Sequence, residues 1–149
     1  MGEVVVSADS TPLHIFGLGS CIAVCMYDIK NKIGGMAHVM LPDSPSNKGT
    51  TKNPKKYAYV AIDELLKMLE AKGCKKKNIK VKIAGGSKMF STKGISIADK
   101  NIKSVKKKLL LEGIPIVAED TGGNEGRKVI FFPDTGKVKV KTKSKERDI

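Results

Sequence analysis

A cysteine and a histidine in the N-terminal third have the residue types and the setting for nucleophilic chemistry. Cys21 directly follows the small-residue turn Gly17-Leu18-Gly19-Ser20, and His38 lies within the apolar segment Met36-Ala37-His38-Val39-Met40. Small residues let a substrate carbonyl approach closely and leave backbone N–H groups free to bind an oxyanion. An imidazole beside the thiol can take its proton and later protonate a departing amine. The pair therefore indicates attack on an amide or ester carbonyl, and a histidine packed in the core is the alternative for His38.

The other two cysteines have different surroundings. Cys25 lies within Ala23-Val24-Cys25-Met26, which is typical of a buried and inert thiol. Cys74 is followed by three lysines, whose charge is expected to lower the pKa of its thiol, but no base is near it in sequence. We expect Cys74 to be a loop residue. A disulfide between Cys21 and Cys25 is excluded, because four residues of strand would separate their Cα atoms by about 13 Å.

Other common sites do not fit the sequence. Gly17-Leu18-Gly19 lacks the third glycine of a dinucleotide-binding turn, and neither a phosphate-binding loop nor a Gly-x-Ser-x-Gly motif is present. A metal site made of His14, Cys21, Cys25 and His38 would have four ligands, but their spacing matches no known zinc motif. We therefore predict no metal and no cofactor.

Composition limits the class of protein. The 149 residues are 40% hydrophobic and 29% charged, which indicates one globular domain spanning 1–149. No apolar run reaches the length of a membrane-spanning helix, and the first residues lack the pattern of a signal peptide, so we expect a cytoplasmic protein. The net charge of +13 comes almost wholly from lysine, since Arg127 and Arg147 are the only arginines. Because nucleic-acid binders favour arginine and aromatic residues, this class ranks low.

Hydrophobic periodicity predicts about seven strands and two helices, and hence an α+β fold with β-sheets in the core and helices covering one side. One helix is predicted from Tyr57 to Lys72 and ends at Gly73, and a second lies before Gly113. The tail from about Lys143 is expected to be frayed. The strand segments are 4–6, 13–16, 22–27, 35–40, 80–83, 129–132 and 138–142, and 114–118 is a further candidate strand.

Several blocks together resemble the chemoreceptor glutamine deamidase family, CheD. They are Gly17-Leu18-Gly19-Ser20-Cys21-Ile22-Ala23-Val24, Gly35-Met36-Ala37-His38-Val39-Met40-Leu41-Pro42, Lys56-Tyr57-Ala58, Lys82-Ile83-Ala84-Gly85-Gly86-Ser87-Lys88-Met89-Phe90 and Glu119-Asp120-Thr121-Gly122-Gly123-Asn124-Glu125-Gly126-Arg127. The resemblance is collinear over nearly the whole chain. It implies an enzyme of chemotaxis that hydrolyses receptor Gln side chains to Glu, with glutamyl methyl esters as further substrates.

The resemblance also implies a fold, a partner and roles for residues. The fold is a layered sandwich similar to the catalytic domains of deamidating toxins, and the partner is the CheC-type phosphatase of phosphorylated CheY. Cys21 is the implied nucleophile and His38 the base, with Gly19 and Ser20 positioning the substrate or the oxyanion. We expect the loop with Gly85, Gly86, Ser87 and Phe90 to bind the receptor or the phosphatase, with Phe90 as an exposed anchor or a core residue.

The sequence departs from the family at one position. Many members have a threonine six residues before the nucleophile, where it supports the catalytic pair, whereas this chain has Ile15. Isoleucine makes no side-chain hydrogen bond, so either turnover is slower or another group, such as Ser20 or a backbone carbonyl, takes its place. A regulatory binding module for the phosphatase with weak catalysis is therefore the alternative function. Lys100, Lys103, Lys106 and Lys107 are expected to attract an acidic receptor surface or to form a plain solvated face.

Overall fold

Nine strands and two α-helices make up the part of the chain that the computed structural model describes, residues 3–42, 54–89 and 96–149. The helices are α1 (Ala58–Ala71) and α2 (Ile97–Leu111). The strands are β1 (Val4–Ser7), β2 (Leu13–Leu18), β3 (Ile22–Asp28), β4 (Ile33–Val39), β5 (Lys80–Gly85), β6 (Ile116–Thr121), β7 (Arg127–Phe132), β8 (Lys137–Lys141) and β9 (Glu146–Asp148). The predicted α+β class is confirmed.

The strands form two sheets. Sheet A has the order β1-β4-β3-β5-β6, and sheet B has the order β2-β7-β8-β9. All neighbours are antiparallel except β5 and β6, which are parallel and are connected through α2. A parallel pair requires such a crossover, whereas antiparallel pairs can be joined by short turns.

Strand β3 lies at the centre of the molecule, and all seven of its residues are buried. Ile22, Val24 and Met26 point to one side of sheet A and pack with apolar residues of α1 and α2. Ala23 and Cys25 point to the other side and pack with residues of sheet B. The three layers are therefore helices, sheet A and sheet B, in that order. A strand covered on both faces needs a continuous apolar sequence, which explains the absence of alternation in β3.

Both helices end where their sequences predict. Gly73, at φ +97°, and Gly113, at φ +70°, follow α1 and α2 in the left-handed conformation that glycine adopts without steric cost. The hydroxyl of Ser96 accepts a hydrogen bond from the N–H of Asp99 and caps the start of α2. Within the described residues, neither helix is long and apolar enough to cross a membrane.

The prediction of a frayed tail from Lys143 is wrong. Strand β9 pairs with β8, and the backbone of Ile149 exchanges two hydrogen bonds with that of Val138. Arg147 on β9 also reaches across to the carboxylate of Asp120 on β6, at 2.6 Å. The tail is polar and exposed, so its sequence does not show that its backbone completes the edge of sheet B.

Candidate active site

Cys21 lies in the short turn between β2 and β3, and the backbone of this turn is held from three directions. The carbonyl of Gly19 accepts from the N–H of Ser87 at 2.9 Å, and the carbonyl of Cys21 accepts from the N–H of Gly86 at 2.9 Å. The carbonyl of Ser20 accepts from the side chain of Asn101 at 2.9 Å. Three successive peptide groups are therefore fixed in orientation by groups distant in sequence.

The N–H groups of the same turn are left available. Within the described residues, Ser20 and Cys21 donate no backbone hydrogen bond from their N–H groups. Free N–H groups beside a nucleophile are the donors from which an oxyanion hole is made. The arrangement agrees with the role that the glycine-rich sequence before Cys21 predicts.

Gly85 explains how β5 can approach this turn so closely. It has φ +121°, and a Cβ placed on it would collide with the carbonyl oxygen of Cys21. Gly86, at φ +71°, has Ile102 in the place that a side chain would occupy. Both glycines are therefore required by the packing behind the cysteine.

His38 lies on the neighbouring strand and on the same face as Cys21. The register of β3 with β4 places Ala23 opposite His38 and Ile22 opposite Val39. Because side chains alternate along a strand, Cys21, two residues before Ala23, shares the face of Ala23 and His38. Diagonal neighbours of this kind have Cβ atoms within about 7–8 Å of each other. The structure thus brings the two predicted residues together from positions 17 apart in the sequence.

A cavity of about 340 Å³ opens beside both side chains. Its walls come from β1, β2 and β4 and from the turn with Cys21. Phe16 is 65% exposed, and its ring stacks on that of His14, with 5.8 Å between the centroids. The lining residues are Glu3, Val5, Leu13, His14, Ile15, Phe16, Gly17, Cys21, Met36 and His38.

The electrostatic setting favours a neutral pair. Burial raises the pKa of the Cys21 thiol, and a hydrogen bond with Ser20 partly opposes this shift. Burial lowers the pKa of His38, and the charge of Glu3 acts in the opposite direction. At neutral pH the site therefore holds a thiol and an uncharged imidazole. Such a pair works by transferring the proton as the sulfur attacks.

One nitrogen of His38 is free to act as that base. Nε2 is buried and has no hydrogen-bond partner within the described residues. A buried polar atom without a partner is costly, and it is typical of a functional site. The backbone N–H of His38 donates to the carbonyl of Glu3 at 3.0 Å, so strand β4 is held on the side of the cavity as well.

Ile15 lies on the cavity wall, as its sequence position implies. It pairs with Val129 in sheet B and packs with Cys21 against the apolar layer between the sheets. Its side chain offers the imidazole no hydrogen bond. Glu3, at the other side of the cavity, is the carboxylate whose charge favours protonated His38.

Cys74 lies in the loop after α1, as predicted, but the expected lowering of its pKa is wrong, whereas Cys25 is buried as predicted. Burial raises the pKa of Cys25 far above its ordinary value. Cys74 is buried too, and burial together with the charge of Asp28 raises the pKa of its thiol to about 11. Within residues 3–42, 54–89 and 96–149, no group of three or more His, Cys, Asp or Glu side chains is placed to bind a metal.

The loop expected to bind partners is only partly described. Gly85, Gly86 and Ser87 are buried, and their contacts support the turn with Cys21. Ser87 also accepts a hydrogen bond from Arg127 at 2.5 Å, and Arg127 pairs with buried Asp120. Phe90 lies outside the described residues. A direct role of this loop in binding a partner therefore stays a prediction.

Sequence reasoning missed Asn101. It is on the buried face of α2 with Ala98, Val105 and Leu109, and its amide contacts the backbone beside the cysteine. A polar residue at the spacing of an apolar helix face is the only signal that could have marked it.

Comparisons with known proteins show which family the chain resembles. The family model CheD, described as chemotactic sensory transduction, matches residues 40–142. The chemoreceptor glutamine deamidase CheD of Thermotoga maritima is 46% identical over 141 residues, 95% of this chain and 88% of that protein. The chemoreceptor glutamine deamidase CheD of Halalkalibacterium halodurans is 46% identical over 139 residues, 89% of this chain and 86% of that protein. A probable chemoreceptor glutamine deamidase CheD of Clostridium novyi is 49% identical over 146 residues, 95% and 90% of the two chains.

Proposed function

This chain belongs to the CheD family, and we propose that it is a protein-glutamine deamidase that converts Gln side chains of chemotaxis receptors to Glu. The observation that carries the proposal is the placement of Cys21 and His38 on one face of sheet A, beside one cavity. The names of the relatives supply the substrate, a receptor glutamine.

The reaction begins when His38 takes the proton of the Cys21 thiol as Sγ attacks the amide carbon of the substrate Gln. The carbonyl oxygen becomes an oxyanion, and the N–H groups of the turn, at Ser20 and Cys21, stabilise its charge. His38 then gives the proton to the amide nitrogen, which leaves as ammonia. A thioester between Cys21 and the substrate remains.

Water completes the reaction. His38 takes a proton from the water molecule, whose oxygen attacks the thioester carbon, and the proton passes to the sulfur of Cys21 as the C–S bond breaks. The product is Glu on the receptor and free enzyme. A glutamyl methyl ester enters the same sequence with methanol as the leaving group, so methylesterase activity follows from the same groups.

The exposed charge of the molecule supports an acidic substrate surface. Lys100, Lys103 and Lys107 are exposed on α2, whereas Lys106 pairs with Glu119 at 3.0 Å. A cluster of like charge raises the encounter rate with a surface of opposite charge. A receptor helix with Glu beside its modified Gln has that charge.

The alternative is a regulatory module that binds a CheC-type phosphatase and catalyses weakly. Ile15 favours it, because a catalytic imidazole is normally oriented by a hydrogen-bonding group and Ile15 supplies none. The phosphatase is also the second partner that we propose for the deamidase itself, competing with the receptor for the cavity beside Cys21. Both partners place the protein in the cytoplasm.

The test is incubation of the purified protein with a receptor cytoplasmic fragment that has Gln at its modification sites. Release of ammonia, with the mass change of Gln to Glu in the digested receptor, is the expected result. Binding of the fragment without either change would support the regulatory module instead. A receptor fragment with the same Gln residues replaced by Asn is the control, because the shorter Asn side chain cannot bring its amide carbon to the same position beside Cys21.

A further inference from the structure

Asn101 connects the two strand ends that hold the candidate catalytic pair. Its side chain is fully buried, and Nδ2 donates to the carbonyl oxygens of Ser20 at 2.9 Å and Met40 at 3.1 Å. Ser20 directly precedes Cys21, and Met40 follows His38 by two residues. A single amide group on α2 thus spans the start of β3 and the end of β4.

The hydrogen bond from Asn101 to the carbonyl of Ser20 orients the N–H group proposed to bind the oxyanion. The carbonyl of Ser20 and the N–H of Cys21 belong to the same peptide group, which is planar and trans. Holding the oxygen on Asn101 therefore fixes the direction in which the N–H of Cys21 points. A hydrogen bond to the oxygen also polarises the peptide and strengthens its N–H as a donor.

The hydrogen bond from Asn101 to the carbonyl of Met40 fixes the end of β4, the strand that contains His38. The N–H of Met40 donates to the carbonyl of Lys56 at 2.9 Å, and its carbonyl accepts from Asn101. Both the N–H and the carbonyl of Met40, two positions after His38, are therefore hydrogen-bonded. Because catalytic groups lose rate when they shift by about 1 Å, such anchoring affects turnover more than binding.

We propose that Asn101 is a positioning residue that sets the distance and orientation between Cys21, its N–H and His38. The inference rests on the proposed deamidase function and adds a residue to it. Asn101 does not touch the cavity, so it acts through Ser20 and Met40. The two hydrogen bonds from Nδ2 account for the burial of the amino half of this amide, while Oδ1 has no hydrogen-bond partner within the described residues.

The test compares Asn101→Leu, which removes both donors, with Asn101→Ser, which keeps one short donor. Leu109→Val is the matched control, because Leu109 is fully buried on the same face of α2, two turns further from the cysteine. For each variant, kcat and KM are measured with the receptor fragment, and thermal unfolding is followed in parallel. The alkylation rate of Cys21 by iodoacetamide is measured against pH.

We expect Asn101→Leu to lower kcat by about 10- to 100-fold with KM changed by less than about twofold, and Asn101→Ser to fall between it and the parent protein. The pH midpoint of Cys21 alkylation should rise in both, because the hydrogen bond with Ser20 that lowers the pKa of the thiol depends on the turn that Asn101 holds. Leu109→Val should lower thermal stability and leave kcat and the midpoint unchanged.

The inference is overturned if either folded Asn101 variant keeps the kcat and the alkylation midpoint of the parent protein. It is also overturned if Leu109→Val, at equal loss of thermal stability, loses kcat as much. If Asn101→Leu fails to fold, Asn101→Ser decides by the same two measurements. Cys21→Ala is assayed beside them: activity in Cys21→Ala contradicts the proposed function itself, whereas an inactive Cys21→Ala with a fully active Asn101→Leu contradicts only the role of Asn101.

Discussion

His38 lies opposite Ala23 in the central antiparallel pair of sheet A, and this register places its imidazole diagonally across from Cys21. This placement depends on backbone pairing between two strands. A shift of one residue in this register would turn His38 to the helical side of the sheet. The pairing of β3 with β4 is therefore a condition for the proposed chemistry.

The first prediction concerns pH. Because burial lowers the pKa of His38, its imidazole stays uncharged, and able to act as a base, below the ordinary histidine pKa of about 6.5. The acid limb of kcat/KM should lie below that value, with activity rising as pH rises through the pKa of His38.

Glu3 provides the check on this assignment. Its negative charge favours the protonated imidazole, so Glu3→Gln should lower the pKa of His38 further and move the acid limb to lower pH. Glu70→Gln, on the exposed side of α1, is the control and should leave the limb in place. An acid limb that moves upward in Glu3→Gln would show that another group titrates.

The second prediction concerns Ile15. Ile15→Thr places a hydroxyl on the cavity wall beside Cys21 and His38, where it can orient the imidazole, and kcat should rise. The cost in stability should stay within about 1–2 kcal/mol. Leu13→Thr is a suitable control, since Leu13 lies on the same face of β2 and lines the same cavity. An unchanged kcat in Ile15→Thr would mean that Glu3 or the backbone already orients His38.

The third prediction concerns the support behind the cysteine. Gly85→Ala places a methyl group against the carbonyl of Cys21, so it should lower both stability and kcat. Gly73→Ala is the matched control: Gly73 also has positive φ, but among the described residues, its two chain neighbours aside, no atom lies within 4 Å of the added Cβ. We expect Gly73→Ala to cost about 1–2 kcal/mol of stability and to leave kcat unchanged. Equal kcat values in the two variants would show that Gly85 does not support the active site.

The elements that the sequence predicts well are those in which local pattern and packing agree. The continuous apolar segment of β3, the apolar face of α1 and the glycine after each helix are of this kind, and each was predictable from neighbouring residues alone. The cysteine after a glycine-rich turn was also visible. The family resemblance, not the spacing, paired it with His38, because spacing in sequence does not show strand register.

The remaining features depend on contacts between distant residues. The tail forms β9 because its backbone pairs with that of β8, just before it in sequence, and because Arg147 bonds to the carboxylate of Asp120, which is distant in sequence. Cys74 has a raised pKa because it is buried and because Asp28, at the end of β3, interacts with its thiol. The role of Asn101 could not be predicted for the same reason, because the two carbonyl groups that accept its hydrogen bonds lie at the ends of two other strands.

The central claim is that Cys21 is the nucleophile. The most direct measurement is ammonia release from the receptor cytoplasmic fragment by Cys21→Ala, Cys25→Ala and Cys74→Ala, each shown to be folded by thermal unfolding. We predict no release from Cys21→Ala and substantial release from the other two, because Cys21 lines the cavity whereas Cys25 and Cys74 are buried away from it. Ammonia release by Cys21→Ala at the rate of the parent protein would contradict it.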